Sequence, residues 1–503
     1  MRSPIQADSQ KAKSTFQAFR PRLLFCPLFA WNAITGGKFI STLLQYLSPN
    51  FSEGVIGLTL SIQYVVVTLL AGWGGRLADM EEKQSTFWGW GRLKVMCWGI
   101  LIGTIAFVGH GLPNLLKYGI ITNPDDDSIM MFPWHLELGW HISMRILWAV
   151  AFVLTAPAMD GLALAHLSAI DGSSQQDFGV ERMYGAVWWG GGSLIAGIGI
   201  DYFGFEFLYA LAIVLGIFVY VAVGLYLWSV NRDTSGSFDE AEDDFITDTN
   251  IQSTSETIKT KDMFVAICSS FYGLSLVFFV FTFAIGLSVV DNLAFLFFNW
   301  LGSSNSMDGW TVVFTVILEL PLFYLSPSLL KRFGPGKLLL IAGSAYVIRV
   351  VGYALVPQGN LWMILILEML HGISYACSKT GSVEYIARVT PDGHEASGQG
   401  LLFTIRFFGV VVGLFFGGLT QQTFGGRILY LGMGVLVFIG MIVLSIAEAC
   451  KSDQESSEND ESNHLLVKSD SACSSSSAFA DVSTERWCKN LKYDSLNKYV
   501  KDW

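Results

Sequence analysis

The chain has 503 residues, 52% of them hydrophobic and 15% charged, with a mean hydropathy of +0.47. Those values exclude an ordinary soluble domain and point to an all-α polytopic membrane protein. The net charge of −11 says little about partners: nine acids against three bases in residues 231–262, and ten against seven in 451–503, put most of it outside the apolar body. No basic patch suggests nucleic acid, and no motif suggests an enzyme, a cofactor or a metal. The 51 glycines exceed the usual ~7%, as expected where membrane helices pack backbone to backbone. None of the seven cysteines falls in a predicted external loop, so no structural disulfide is expected.

The N-terminus, residues 1–22, is polar and lacks a cleavable signal pattern. Apolar segments then recur twelve times, at 23–47, 54–74, 93–112, 142–165, 184–202, 206–229, 264–298, 309–329, 337–356, 361–384, 400–422 and 427–447. Lys11, Lys13, Arg20 and Arg22 precede the first; Arg76, Lys83, Arg92 and Lys94 follow the second. Arg182 follows the fourth, and Lys331, Arg332 and Lys337 follow the eighth. The opposite loops hold little beyond Lys117 and Arg427, so both termini and the acidic stretch should be cytoplasmic. The longest external loop, 113–140, carries Asp125, Asp126 and Asp127. Five units follow: a cytoplasmic tail 1–22, a six-helix bundle 23–229, a disordered acidic linker 230–263, a second six-helix bundle 264–448 and a cytoplasmic tail 449–503. The bundles echo each other. Gly192 and Gly197 precede Phe203-Gly204 at the same spacing at which Gly413 and Gly418 precede Phe424-Gly425.

The stretch 361–388 is the most informative. At 100° per residue Glu368, His371, Gly372, Tyr375, Lys379 and Ser382 share one side of a helix long enough to cross a bilayer. A charge at the bilayer centre costs on the order of 3 kcal/mol even on lenient scales. Such a stripe therefore either walls a solute pathway or forms a polar packing seam. Glu319 and Arg349 come to the same depth, at ~1.5 Å rise per residue. Two acids, a fixed cation and a histidine suit a proton relay, or else a static ion network. Asp160, three residues after Pro157, either lines an unwound stretch or sits solvated at a helix end. Arg145 and His141 lie near the outer interface and are expected to snorkel. Trp188 and Trp189 either stack on a ring-shaped solute or serve as packing tryptophans.

GGRLAD (Gly74–Asp79) resembles the opening of the signature loop of the major facilitator superfamily, and the resemblance covers roughly residues 20–448. The later basic part stands at Gly91-Arg92-Leu93-Lys94, after the insert MEEKQSTFWGW. A degenerate second copy runs Leu330-Lys331-Arg332-Phe333-Gly334, then Lys337. TAPAMDGLALAHL (155–167) and FGVERMYGAVWWGGG (178–192) are similar to the lactose-permease-like and major-facilitator-associated-domain branch, with Phe178 where that branch usually has tyrosine. Glu319-Leu320-Pro321, Arg349 and Glu368-Met369-Leu370-His371-Gly372 resemble its second-half polar positions. In lactose permease the corresponding pair runs His then Glu, the reverse of Glu368 and His371.

The resemblance implies the twelve-helix fold with two six-helix bundles and alternating access. It implies proton-driven movement of a small polar solute, with a sugar or nucleoside as the first guess. Glu368, His371, Glu319 and Arg349 would couple protons; Asp160, Tyr375, Lys379, Trp188, Trp189 and Asn32 would line the solute cavity. Gly75, Asp79, Arg92, Lys331 and Arg332 would form the inner gate. Lys38 and Asp291 lie at similar heights in the first and seventh helices, which meet externally in that superfamily, so they are expected either to form an outer-gate ion pair or to face the cavity separately and bind solute. A non-transporting receptor or scaffold with the same fold is the other reading. Three local signals concern the cell rather than transport. Asn50-Phe51-Ser52 is a glycosylation sequon, Cys450 is a palmitoylation candidate, and Glu461 with Leu465 and Leu466 resembles an acidic dileucine read by sorting adaptors. The expected location is the plasma membrane or an endolysosomal or vacuolar membrane.

Overall fold

In the computed structural model, the described residues are 21–85, 89–120, 133–168, 175–234, 268, 270–390 and 395–475, and they contain helices and no strand. The loop aspartates Asp125–Asp127 and most of the acidic linker lie outside them. The helices are α1 (Arg22–Thr35), α2 (Phe39–Leu47), α3 (Glu53–Lys83), α4 (Trp90–Gly109), α5 (Leu112–Ile120), α6 (Trp134–Ser168) and α7 (Gln175–Phe203). They continue as α8 (Phe207–Thr234), α9 (Phe271–Trp300), α10 (Asn305–Leu355), α11 (Trp362–Val389), α12 (Glu395–Phe424) and α13 (Gly426–Ser475). Residues up to Leu444 form one compact unit, and residues from Ser445 onward a second.

Every predicted apolar segment is helical over most of its described residues, with two departures from the expected outline. The first segment is broken into α1 and α2 at Gly36-Gly37-Lys38, where two glycines in succession weaken the helix. The eighth and ninth are joined as α10, which turns at Gly334 (φ 73°), a conformation only glycine adopts freely. Among the described residues, nine helical runs are long and apolar enough to cross a membrane; α10 is one of them, and α7 and α11 fall outside the set. The helix starts follow local chemistry. Ser52, Ser270 and Ser304 each stand before a helix and accept a backbone N–H three residues on, at 3.4, 2.9 and 3.2 Å.

In a bilayer the hydrophobic effect does not drive helices together, so close packing and interhelical hydrogen bonds must do so. α11 lies against α10 so closely that a Cβ on Gly372 would be 2.5 Å from the Glu319 backbone nitrogen. Two of the places where the first half of the chain meets the second are joined by hydrogen bonds. Ser61 Oγ of α3 donates to Val411 O of α12 (3.1 Å). At the end of α7 the Asp201 carboxylate accepts Asn305 N (3.1 Å), Asn305 Nδ2 (2.9 Å) and Ser306 N (2.8 Å) of the first turn of α10. α2, α9, α10 and α13 contribute to a large apolar core, with Phe39 against Phe295 and Tyr353 against Phe298 and Tyr430.

Candidate functional site

Glu368, on α11, is fully buried, and two cations and a tyrosine hydroxyl converge on its carboxylate. Lys38 Nζ, from the α1–α2 break, is 3.7 Å from Oε2. Arg349 Nη2, from the second arm of α10, is 3.8 Å from Oε1, and Tyr353 Oη donates a short hydrogen bond to the same oxygen. Arg349 Nε in turn donates to Tyr353 Oη (2.6 Å), and Nη1 donates to His371 Nδ1 (2.5 Å). Because guanidinium can only donate, this contact suits a neutral His371 ring with its hydrogen on Nε2. The imidazole lies 4.0 Å from Asp291 Oδ1 and stacks on Tyr375, with ring centroids 5.7 Å apart. Lys38 thus brings a first-half charge onto a second-half carboxylate. The ion-pair partner within 4 Å of Lys38 is Glu368, whereas the sequence had paired it with Asp291.

The polar stripe continues down α11. Lys379 Nζ lies 5.4 Å over the Tyr375 ring, Phe323 meets that ring edge-on, and Ser382 Oγ receives a short hydrogen bond from Arg406 of α12. Glu319, backed against Gly372, has no cation within 4 Å among the described residues, so it stands near the cluster without joining it. Asp291 is about one third exposed, with 36% of its side chain accessible. Asp160 pairs with Arg182 (3.2 Å) while α6 stays helical through Pro157, which removes the unwound stretch considered for it. Trp188 is half exposed and Trp189 packs on the apolar core. Asn32 is partly buried, and its Oδ1 has no hydrogen-bond partner.

Between α3 and α4, Arg92 on the far side of the insert is paired with Asp79. Arg92 donates to Asp79 Oδ1 through Nε (3.3 Å) and Nη2 (3.0 Å), and through Nη1 to Gly161 O (3.3 Å). Glu82 accepts the backbone N–H of Gly89 (2.5 Å) and Arg92 (3.0 Å), which closes the longer loop. Gly75 lies beside Pro157, where a Cβ would make ordinary contact at 3.7 Å. Lys331 and Arg332 of the degenerate second copy are exposed, and Arg332 lies over Phe333. Glu461, Leu465 and Leu466 belong to the helical run of α13, and their side chains lie outside the described residues.

The MFS_1 like family matches residues 28–432. The chain belongs to this family. It is therefore a membrane transporter of the major facilitator type rather than an enzyme. Solved structures show the same fold. The nucleoside transporter NupG matches at 14% identity with a TM-score of 0.55, over 87% of this chain and 98% of its own. A bacterial homologue of the iron transporter ferroportin, inward-facing, matches at 15% and 0.56, over 89% and 99%. The inward-open xylose transporter XylE from E. coli matches at 12% and 0.58, over 85% and 95%. Among the described residues of this family member, no group of three His, Cys, Asp or Glu side chains is placed to hold a metal ion.

Sequence reading missed one member of the site and misplaced two other polar residues. Tyr353 was hidden among apolar neighbours, although it stands one helical turn after Arg349 and shares its face. Arg145 and His141 do not snorkel; both are fully buried. His141 Nδ1 faces His110 Nδ1 at 2.8 Å, and Arg145 reaches Gln63 and Thr35. A polar residue such as Gln63 within an apolar run was the available signal.

Proposed function

We propose that this chain is a secondary active transporter that moves a small polar solute together with protons. It works by alternating access between the six-helix bundles 23–229 and 264–448, linked by cytoplasmic residues 230–263. The supporting observation is the buried cluster in which Lys38 of the first bundle and Arg349 of the second share one carboxylate. Burying three charges in a membrane is costly, and an arrangement split between two bodies lends itself to being opened. When the bundles rock, Lys38 leaves with the first, and a proton takes its place as the neutralising charge on Glu368. His371, on the same face and within reach of Asp291, offers the proton a second station. Glu319 is the competing carrier. Asp160, Tyr375, Lys379, Trp188, Trp189 and Asn32 line the solute path, and the Asp79–Arg92 loop with Lys331 and Arg332 closes its inner end. A sugar or nucleoside solute follows from analogy with the xylose and nucleoside transporters among the structural relatives.

The test is uptake into proteoliposomes under an imposed pH gradient, across sugars, nucleosides, amino acids and organic acids. One solute should accumulate above equilibrium and collapse to equilibrium with a protonophore. Accumulation that ignores the gradient refutes proton coupling, and no movement of any solute favours the receptor reading.

A further inference from the structure

Arg145 is a buried cation without a buried acid. It lies in α6 with no exposed surface, and both of its hydrogen-bond partners are neutral. Nε donates to Gln63 Oε1 of α3 (2.7 Å) and Nη1 to Thr35 O (3.0 Å), while Nη2 has no partner. Its guanidinium lies 4.5 Å over the Trp148 ring. Among the described residues no carboxylate stands within 4 Å to balance it. A structure that retains such a charge must neutralise it in some other way.

Thr35 identifies that way, because it is the last residue of α1. A helix C-terminus leaves its final carbonyls unpaired and carries about half a negative charge. Arg145 therefore caps the broken end of the first membrane segment, and the dipole of α1 takes the place of a counterion. Trp148 closes the same joint from the side: a Cβ on Gly36 would lie 1.9 Å from its ring, so only glycine fits at the break. Gly36 N returns to Asn32 O (2.9 Å). Three residues after Thr35 stands Lys38, at the N-cap of α2, with its ammonium 3.7 Å from Glu368.

We propose that Arg145 is a positioning residue: by holding the Thr35 carbonyl it fixes the α1–α2 break, and through the break it sets Lys38 against Glu368. The inference rests on the proposed role of the Lys38–Glu368 pair, but its geometry can be measured without transport. A residue of α6 that makes no hydrogen bond or ion pair with Lys38 or Glu368 thereby controls how firmly that pair is made.

The test uses full-length protein in liposomes carrying Ser41→Cys, one turn beyond Lys38 and buried. Maleimide modification is read at residue 41 by peptide mass spectrometry, so the native cysteines do not interfere. Arg145→Gln should speed labelling by about tenfold, the scale of a local opening eased by the loss of one charge-assisted hydrogen bond. Arg145→Lys, which keeps a cation for Thr35 O, should return the rate most of the way to that of the parent. In a Lys38→Met, Glu368→Gln background the parent should already label fast, and Arg145→Gln should add nothing. Should Arg145→Gln fail to fold, Gln63→Met frees Arg145 Nε and should give a smaller rise. An unchanged rate with Arg145→Gln or Gln63→Met, no rescue by lysine, or an equal increment in both backgrounds overturns the proposal. A parent that labels as expected yet moves no solute in the uptake assay removes the transport reading and leaves the positioning role standing.

Discussion

Neutralising Glu368 should be among the most damaging single changes available to this chain, and the size of the effect follows from the cluster. At 3.7 and 3.8 Å, each cation attracts the carboxylate by about 4 kcal/mol at an effective dielectric near 20. Desolvation of three buried charges offsets most of that sum, so the intact cluster contributes little net stability. Glu368→Gln removes the attraction and leaves the desolvation, because Lys38 and Arg349 stay buried beside a neutral amide. Breaking a buried pair in this way costs about 3–5 kcal/mol. The amide oxygen still accepts from Tyr353, which keeps the loss toward the lower figure. Adding Lys38→Met removes one stranded cation and should recover roughly half of the loss, a non-additivity expected only of groups in contact. Lys38→Met alone should cost less than Glu368→Gln, since Arg349 and Tyr353 still hold the carboxylate. Thermal unfolding in detergent, followed by tryptophan fluorescence, measures all three. If Glu368→Gln melts with wild-type protein, or if the double variant falls by the sum of the two singles, the three groups do not form one charge cluster.

Three further expectations are open to direct measurement. Exchanging Lys38 and Glu368 (Lys38→Glu with Glu368→Lys) should restore transport lost in each single variant, whereas exchanging Lys38 with Asp291 should not; proteoliposome uptake decides between the two pairings. Asp201→Asn should weaken the hold on the first turn of α10 and raise cysteine labelling along the α7–α10 seam, with a stability loss of about 1 kcal/mol, as for an exposed cap; unchanged labelling would show that this contact does not hold the seam. Glu82→Ala should cost more than Asp79→Asn, because Glu82 holds two backbone N–H groups while the Asp79 side chain is 61% exposed in a pair worth about 0–1 kcal/mol. Denaturant or thermal unfolding in detergent ranks the pair.

The fold was legible because hydropathy, the basic loops and a glycine-rich composition all report on the same physical constraint, a chain that must satisfy its backbone inside lipid. Helix joints were less legible. Gly36-Gly37 before Lys38 is a visible weak point, yet two glycines in an apolar run are equally common where helices simply pack closely. Whether the run bends depends on a neighbour able to take the freed carbonyl. The joining of the eighth and ninth segments at Gly334 also depends on tertiary packing, because the polar Leu330–Lys337 stretch reads equally well as a loop.

The site divides along a similar line. Glu368, His371 and Arg349 were readable because depth and helical phase together bring them to one level, and a charge at that level has few tolerable surroundings. Depth could not choose partners. It placed Lys38 and Asp291 at one height and suggested a pair, but a lysine side chain spans more than one helical turn, and two acids at similar height compete for it. Glu368 is the one found within 4 Å. Arg145 shows the limit more sharply. Its place near the outer end of a predicted segment sends the side chain to the interface when residues are read one at a time. The counterion here is the end of a helix, a charge carried by no residue and created only when α1 stops at Thr35. Such a charge becomes visible only once the break in α1 is known, so the break and the buried arginine have to be read together.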